Sequence, residues 1–537
     1  MSLLLDIAPA DLGLPHKFTE YRPTQADGID FAVRSEKRFI AARADTGIGK
    51  SLLAMTVAKA QAVRAVYLTA TKGLQEQILG DFAPCGVRDI RGRANYSCRP
   101  YTKRLKHATT CEEGAERGCS HFATTGCPYS SAYMTVCASA LSTTNYAYWL
   151  HIRRAYSQMG MCEDDEKPID LLICDEAHHI LDQLAGFLQI KLPDKEYGKL
   201  VPANQNGLMS DHSGGIWQRW AAGRIKEGNA TLKELRDKHG STEAARARDD
   251  DYAYLERLQV RLRAISSMDS NWTWETSDDA VSFDPIWPGR YAHLLWSGVS
   301  KVLLLSATIC PYTLGLLGLV KGDYDYGEFT NGWPPNYGVT YYIPTARMSY
   351  RSTEADYRRM VERIDEIIAG RLDRKGIIHT ISYKRMRTFL DYSRYAKYMI
   401  TNQSANGSIS TAARYRDSKP PAILCSPSYG TGWDFAYDQC EYIIIPKVPF
   451  PYAETRVMQE RNKDAQYRIY CAILEMIQMI GRGRRAHDDR CETFILDNNF
   501  PLVMAKGKPY APRSFTVHKS NKVPSAPKKI HRNITCI

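Results

Sequence analysis

The chain has 537 residues, 44% of them hydrophobic and 24% charged, the make-up of a soluble globular protein of roughly two to four domains; a disordered or fibrous chain is excluded. A net charge of +12, from 71 basic and 59 acidic residues, fits a polyanionic partner. No apolar run approaches a membrane span and residues 3–5 are too short for a signal sequence, so the 14 cysteines read as free thiols or metal ligands of a cytoplasmic protein with no membrane partner.

The first element of interest is Tyr21-Arg22-Pro23-Thr24-Gln25. A glutamine amide offers the donor and acceptor needed to read an adenine edge, although a turn or helix-start contact would use the same atoms. A buried strand at 39–42 then feeds Arg43-Ala44-Asp45-Thr46-Gly47-Ile48-Gly49-Lys50-Ser51. This is a phosphate-binding loop running into a helix at 51–63. Its N–H groups cradle phosphate oxygens, and Gly47 and Gly49 allow close backbone approach. Lys50 would neutralise the β- and γ-phosphates of ATP, while Ser51 would ligate Mg²⁺. A second strand follows at 65–69.

Residues 85–140 interrupt the α/β rhythm with clustered Cys, Arg, Lys and Tyr and read as an inserted subdomain. Cys98, Cys111, Cys119 and Cys127 are spaced Cys-x12-Cys-x7-Cys-x7-Cys. Zinc sites usually carry short Cys-x2–4-Cys pairs, whereas four spread thiolates can hold a cubane iron–sulfur cluster. Spacing leaves cluster, zinc and unliganded thiols open, with Cys85 and Cys137 as rival ligands. Tyr96, Arg99, Tyr101, Lys103, Arg104, Tyr129 and Tyr133 are candidates for stacking on bases or contacting phosphates.

An apolar strand at 171–174 delivers Asp175-Glu176-Ala177-His178. Asp175 would hold the Mg²⁺ and Glu176 would orient and deprotonate the attacking water. A second interruption, 180–290, is charged and helical in rhythm at 225–268 and strand-like at 271–287. The strand at 301–305 ends in Ser306-Ala307-Thr308, whose hydroxyls can bridge the hydrolytic centre and a nucleic-acid face.

A second α/β unit starts near 340, with apolar strands at 376–380, 422–425 and 441–445. Gly430-Thr431-Gly432-Trp433-Asp434 follows the middle one; Gly432 and Asp434 could link the ATP site to nucleic acid. A helix at 473–480 leads into Gln478-x-x-Gly481-Arg482-x-x-Arg485, followed by a strand at 493–496. Arg482 and Arg485 share one helical face and would act as arginine fingers on the γ-phosphoryl, worth on the order of 10³–10⁵ in rate. The basic, proline-punctuated tail from about residue 505 reads as poorly ordered.

In order and content these motifs resemble the iron–sulfur superfamily 2 helicases of the XPD/DinG family over residues 18–500. Gly92-Arg93-x-Asn95-Tyr96-x-Cys98, Cys127-Pro128-Tyr129 and Thr144-Asn145-Tyr146 add to the set. The resemblance implies an α/β fold of two RecA-like motor domains. Motor domain 1 would comprise 1–84, 141–180 and 291–335. A 4Fe–4S domain at 85–140, ligated by Cys98, Cys111, Cys119 and Cys127, and a helical arch-like insertion at 181–290 would interrupt it. Motor domain 2 would be 336–504 and the basic tail 505–537. ATP with Mg²⁺ would bind between the motors, contacted by Arg22, Gln25, Thr46, Gly47, Gly49, Lys50, Ser51, Asp175, Gly432 and Asp434. Lys50, Asp175, Glu176, Gln478, Arg482 and Arg485 would carry the chemistry.

The implied activity is ATP-dependent 5′→3′ translocation of a monomer on single-stranded DNA and unwinding at duplex junctions, with RNA–DNA hybrids a further candidate partner. An RNA helicase or remodeller is the first alternative, since such motifs do not read the 2′-OH. An ATP-controlled nucleic-acid-binding switch without unwinding is the second. Three departures stand out. Thr431 occupies a position where the family often has Glu, the arch candidate is short, and no nuclease domain precedes the phosphate loop. This compactness fits a phage or mobile-element member.

Overall fold

The computed structural model describes residues 7–98, 109–116, 119, 126–159, 169–193, 215–239, 250–277, 280–330, 337–402, 407–430, 433, 435, 437–483 and 489–527. The chain groups into two compact units: Met1–Ala42, Lys50–Gly327 and Tyr452–Lys463 form the first, and Arg43–Gly49, Glu328–Pro451 and Asp464–Ile537 the second. Among the described residues no helix is long and apolar enough to cross a membrane.

The first unit is built on β1 (Phe39–Ala44), β2 (Ala65–Thr69), β3 (Val87–Asp89), β4 (Leu141–Asn145) and β5 (Ile169–Cys174). The chain then forms β6 (Ile190–Pro193), β7 (Trp272–Thr276) and β8 (Ala280–Pro285) before returning in β9 (Val299–Ser306) and β10 (Tyr324–Phe329). The resulting seven-stranded sheet has the order β10-β1-β9-β5-β2-β4-β3. The pairs β9–β5, β5–β2, β2–β4 and β4–β3 are parallel. A parallel sheet is covered on both faces, so its strands are near-continuous apolar runs instead of alternating ones. Val302, Leu303, Leu304 and Leu305 are all fully buried. The helix Lys50–Ala60 buries Leu52 through Ala58. Because β5 and β9 run parallel in register, Cys174 opposite Leu304, the segments after their C-terminal ends emerge side by side. Such strand ends are where open α/β sheets hold their ligands.

The second interruption holds helices and, where 271–287 reads as strand-like, two strands. Helices Gly215–His239 and Asp250–Ser266 pack with an antiparallel sheet of order β6-β8-β7. Its core joins Leu192, Trp217, Leu258, Leu262, Trp274 and Phe283. Val281, Phe283 and Pro285 alternate with half-buried residues along β8, a two-residue period that only a strand can bury on one side. The helix Arg456–Arg461, far away in sequence, docks here as well. Arg456 stacks over Trp274 at 4.6 Å, and the buried Arg461 guanidinium donates to the carbonyls of Ile286 and Pro285.

The second unit adds β11 (Thr340–Ala346), β12 (Lys375–His379), β13 (Met399–Ile400), β14 (Ala422–Ser426), β15 (Tyr442–Ile445), β16 (Glu492–Asp497) and β17 (His518–Lys519). They form a second seven-stranded sheet, β13-β14-β12-β15-β16-β11-β17, and every pair in it is parallel. The tail expected to be poorly ordered is structured as far as residue 527. Its strand β17 lies along β11, Val523 packs on the core, and the carbonyls of Pro524 and Pro527 accept from Arg371 and Arg374. Proline removes a donor but leaves the carbonyl, so a proline-punctuated segment can still be held by donors on its partner.

Candidate active site

The phosphate loop follows β1, and both of its glycines take the conformation that required them. Gly47 has φ of 83° and Gly49 of 88°, in the left-handed region that residues with a Cβ avoid. Lys50 and Ser51 open the following helix.

Asp175 and Glu176 follow β5. Asp175 is buried and its Oδ1 accepts the Glu176 backbone N–H at 2.9 Å. From the start of the helix Tyr146–Met159 that follows β4, Tyr146 donates to the Asp175 main-chain carbonyl at 2.8 Å. Lys50 Nζ lies 3.5 Å from Glu176 Oε1. Burial and then the neighbouring Glu176 charge raise the Asp175 carboxyl, with Lys50 opposing. Burial also acts to raise Glu176, but Lys50 and then His178 outweigh it and hold that carboxyl below its ordinary range. The two neighbours therefore respond in opposite directions: Glu176 is the anion paired with Lys50, and Asp175 is the group whose charge still needs a cation.

His178 is buried, and burial takes its imidazole down to about 3 against the upward pull of Glu176, so it is neutral. Its Nδ1 is 2.7 Å from Ser306 Oγ and 3.3 Å from Glu176 Oε2. Ser306 Oγ in turn is 3.2 Å from Thr308 Oγ1 and accepts the Thr308 N–H at 3.1 Å. A continuous polar chain thus joins the Glu176 carboxylate to the end of β9.

In the second unit Arg482 is 6% exposed. Its Nε donates to the Gly430 carbonyl at 2.9 Å, Nη1 to the Trp433 carbonyl, and Nη2 approaches Gln478 Oε1 at 3.4 Å. The guanidinium braces the turn that follows β14, while the Trp433 ring packs against Tyr429 and Phe435. Gly432, Asp434 and Arg485 lie outside the described residues, as do Arg99, Tyr101, Lys103 and Arg104.

Two family models match the chain. One described as helicase C-terminal domain covers residues 368–504. One described as type III restriction enzyme, res subunit, covers residues 18–205. No curated protein sequence matches. Among solved structures, an XPD helicase superposes with a TM-score of 0.56 at 14% identity, over 93% of this chain and 100% of that one. Xpd4 of S. tokodaii superposes with a TM-score of 0.55 at 13% identity over the same shares; both likenesses concern the fold.

Together the two family models support helicase-type domains in the two parts of the chain they match, and the solved structures support the fold. For domains of this kind ATP and Mg²⁺ are implied, and the residues present fit the cation: a helix-start hydroxyl at Ser51 and a buried carboxylate, Asp175, short of a counter-charge.

The other sequence-predicted residues divide. Gln25 is 3% exposed at the start of the helix Pro23–Arg34, and its Oε1 accepts the Arg22 N–H at 3.3 Å. That is the helix-start contact, made by the same side chain named for adenine. Cys98 and Cys119 approach one another at Gly114, where an added Cβ would meet Cys98 Sγ at 2.8 Å and Cys119 Cβ at 3.9 Å. Burial and then the Cys127 thiol push Cys111 up to about 11. Among the described residues, however, no three Cys, His, Asp or Glu side chains are placed to hold a metal ion. The gathering alone does not make a metal site.

Two residues near this machinery carried no motif. Tyr67 is buried on β2 with Ser51 and Asp175 as its polar neighbours. His379 is buried at the end of β12, where burial and then Arg482 take it down to about 3. In sequence each is a polar residue within a mostly apolar strand, a signal too common to single out.

Proposed function

We propose that the chain is an ATP-driven DNA helicase that moves 5′→3′ along single-stranded DNA and unwinds duplex at junctions. The observation that carries this reading is the chain Lys50–Glu176–His178–Ser306–Thr308. It ties the group that would activate water to a strand end suited to sensing a polymer. A binding switch would need a nucleotide cradle, not a positioned carboxylate wired through a neutral histidine.

Lys50 takes the β- and γ-phosphates, the loop N–H groups hold their oxygens, and Arg22 and Gln25 take the adenine. Ser51 and Asp175 hold Mg²⁺, which supplies charge neutralisation on the phosphate oxygens when bound. Glu176 then orients the attacking water and accepts its proton. Before nucleotide binds, Lys50 keeps the Glu176 carboxylate a weak base; drawing Lys50 onto the phosphates releases that hold and makes it a stronger one. His178 and Ser306 relay the state of the carboxylate to β9. Arg482 already commits donors to the Gly430 and Trp433 carbonyls, which favours Arg485 as the residue that stabilises γ-phosphoryl charge. Gly432 and Asp434 would couple the ATP site to the polymer.

The order of Cys98, Cys111, Cys119 and Cys127 within the motif set supports a 4Fe–4S cluster on those thiols. Iron content and visible absorbance of anaerobically purified protein test it. Loss of both in Cys98→Ser and Cys127→Ser is expected; a colourless, iron-free wild type would overturn it.

Strand displacement on duplexes with a single 5′ or 3′ tail, in DNA and in RNA, tests the function. Unwinding of the 5′-tailed DNA alone is expected, and none by Lys50→Ala. Unwinding only from 3′ tails, or only of RNA, would overturn polarity or substrate; ATP turnover without displacement would favour the switch.

A further inference from the structure

Tyr67 stands on β2 opposite Ile173 of β5, one residue before Leu68, whose carbonyl accepts the Asp175 N–H at 3.1 Å. The residue is 1% exposed. Its hydroxyl completes no hydrogen bond of full geometry, although the polar side chains nearest to it are Ser51 and Asp175. A buried hydroxyl without a partner costs roughly 1–3 kcal/mol. The rest of β2 is aliphatic apart from Thr69, and phenylalanine would fill the same volume without that cost. The hydroxyl instead stands beside Ser51 and Asp175, the two side chains that would ligate the cation. A neutral phenol can donate one hydrogen bond, and an ionised carboxylate can only accept. The second tyrosine, Tyr146, fixes the main chain of Asp175, whereas Tyr67 is the tyrosine that faces its carboxylate.

We propose that Tyr67 is a positioning residue for the nucleotide-bound Mg²⁺. Its hydroxyl donates to one Asp175 carboxylate oxygen when the cation is bound and so leaves the other aimed at the metal. Groups behind metal ligands act in this way, and their loss weakens metal affinity by about 10–100-fold. The inference rests on the ATP-hydrolysing reading of the site.

The test is Tyr67→Phe in the full chain, read by Mn²⁺ electron paramagnetic resonance in the presence of ADP, by metal-free binding of a fluorescent ATP analogue, and by melting temperature without nucleotide. Mn²⁺ affinity should fall about tenfold, with metal-free nucleotide binding unchanged and the melting temperature unchanged or higher. In an Asp175→Asn background the same change should have no further effect on Mn²⁺, because the carboxylate it orients is gone. If Tyr67→Phe binds Mn²⁺ within twofold of wild type, the positioning role is refuted while the nucleotide site stands. If Tyr67→Phe weakens Mn²⁺ equally in both backgrounds, the hydroxyl acts through packing and the proposal also fails. If wild type binds no Mn²⁺ with ADP, the ATP reading itself falls.

Discussion

Glu176 has φ of 47° and ψ of 48°, a left-handed conformation in a residue with a Cβ. That backbone costs about 1–2 kcal/mol relative to glycine through contact of Cβ with the following carbonyl. Glu176→Ala and Glu176→Gly both delete the carboxylate, and with it the 3.5 Å contact to Lys50 and the 3.3 Å contact to His178. Their difference therefore isolates the backbone. Glycine gains the relieved strain and loses about 0.4–1 kcal/mol through the greater freedom of its unfolded chain. The glycine variant should be the more stable by up to about 1.6 kcal/mol and by about 0.8 kcal/mol at the midpoints, a factor of roughly four in the folding constant. Urea denaturation of the two variants side by side measures it as a shift in midpoint at constant slope. In the same pair, single-turnover ATP hydrolysis should fall by about 10²–10⁴ with nucleotide binding retained. A glycine variant no more stable than the alanine one would show that no strain is stored there. Hydrolysis above about a tenth of wild type in either would remove Glu176 as the base.

Arg371, fully buried, makes two bonds of 2.8 and 3.0 Å to the Glu492 carboxylate and also donates to the Pro524 carbonyl. Arg371→Met leaves Glu492 buried without its cation and should cost about 3–5 kcal/mol, with the tail beyond residue 507 becoming sensitive to protease; a loss under about 1 kcal/mol would refute the pair's role. His379 gives a pH dependence of definite sign. Its folded pKa, about 3, lies below the unfolded value, so the unfolded state takes up the proton first. Stability is full above about pH 6.5 and falls toward pH 3 at up to about 1.4 kcal/mol per unit from this group. His379→Leu should remove one proton's share of that slope in acid denaturation; an unchanged slope would mean the imidazole is already protonated in the folded chain.

The sequence by itself determined the nucleotide machinery and the strands that present it. Gly47 and Gly49 had to be glycine because their backbones turn left-handed. Short β-branched runs such as Tyr442–Ile445 read as central parallel strands because such strands are buried on both faces. Local spacing carries such information because covalent geometry fixes it. Tertiary structure alone decided what long-range contacts create. Tyr67 reached Ser51 and Asp175 only when β2 paired with β5. Arg482, read as a finger from its helical spacing, was drawn inward by the Gly430 and Trp433 carbonyls some fifty positions earlier. The tail from 505 has the composition of a disordered segment, yet the second sheet leaves the edge of β11 open and supplies Arg371 and Arg374 as donors to its proline carbonyls. Composition reports what a segment can do with water. Whether an unpaired edge or a buried cation elsewhere in the chain will order it is settled only when those partners have folded.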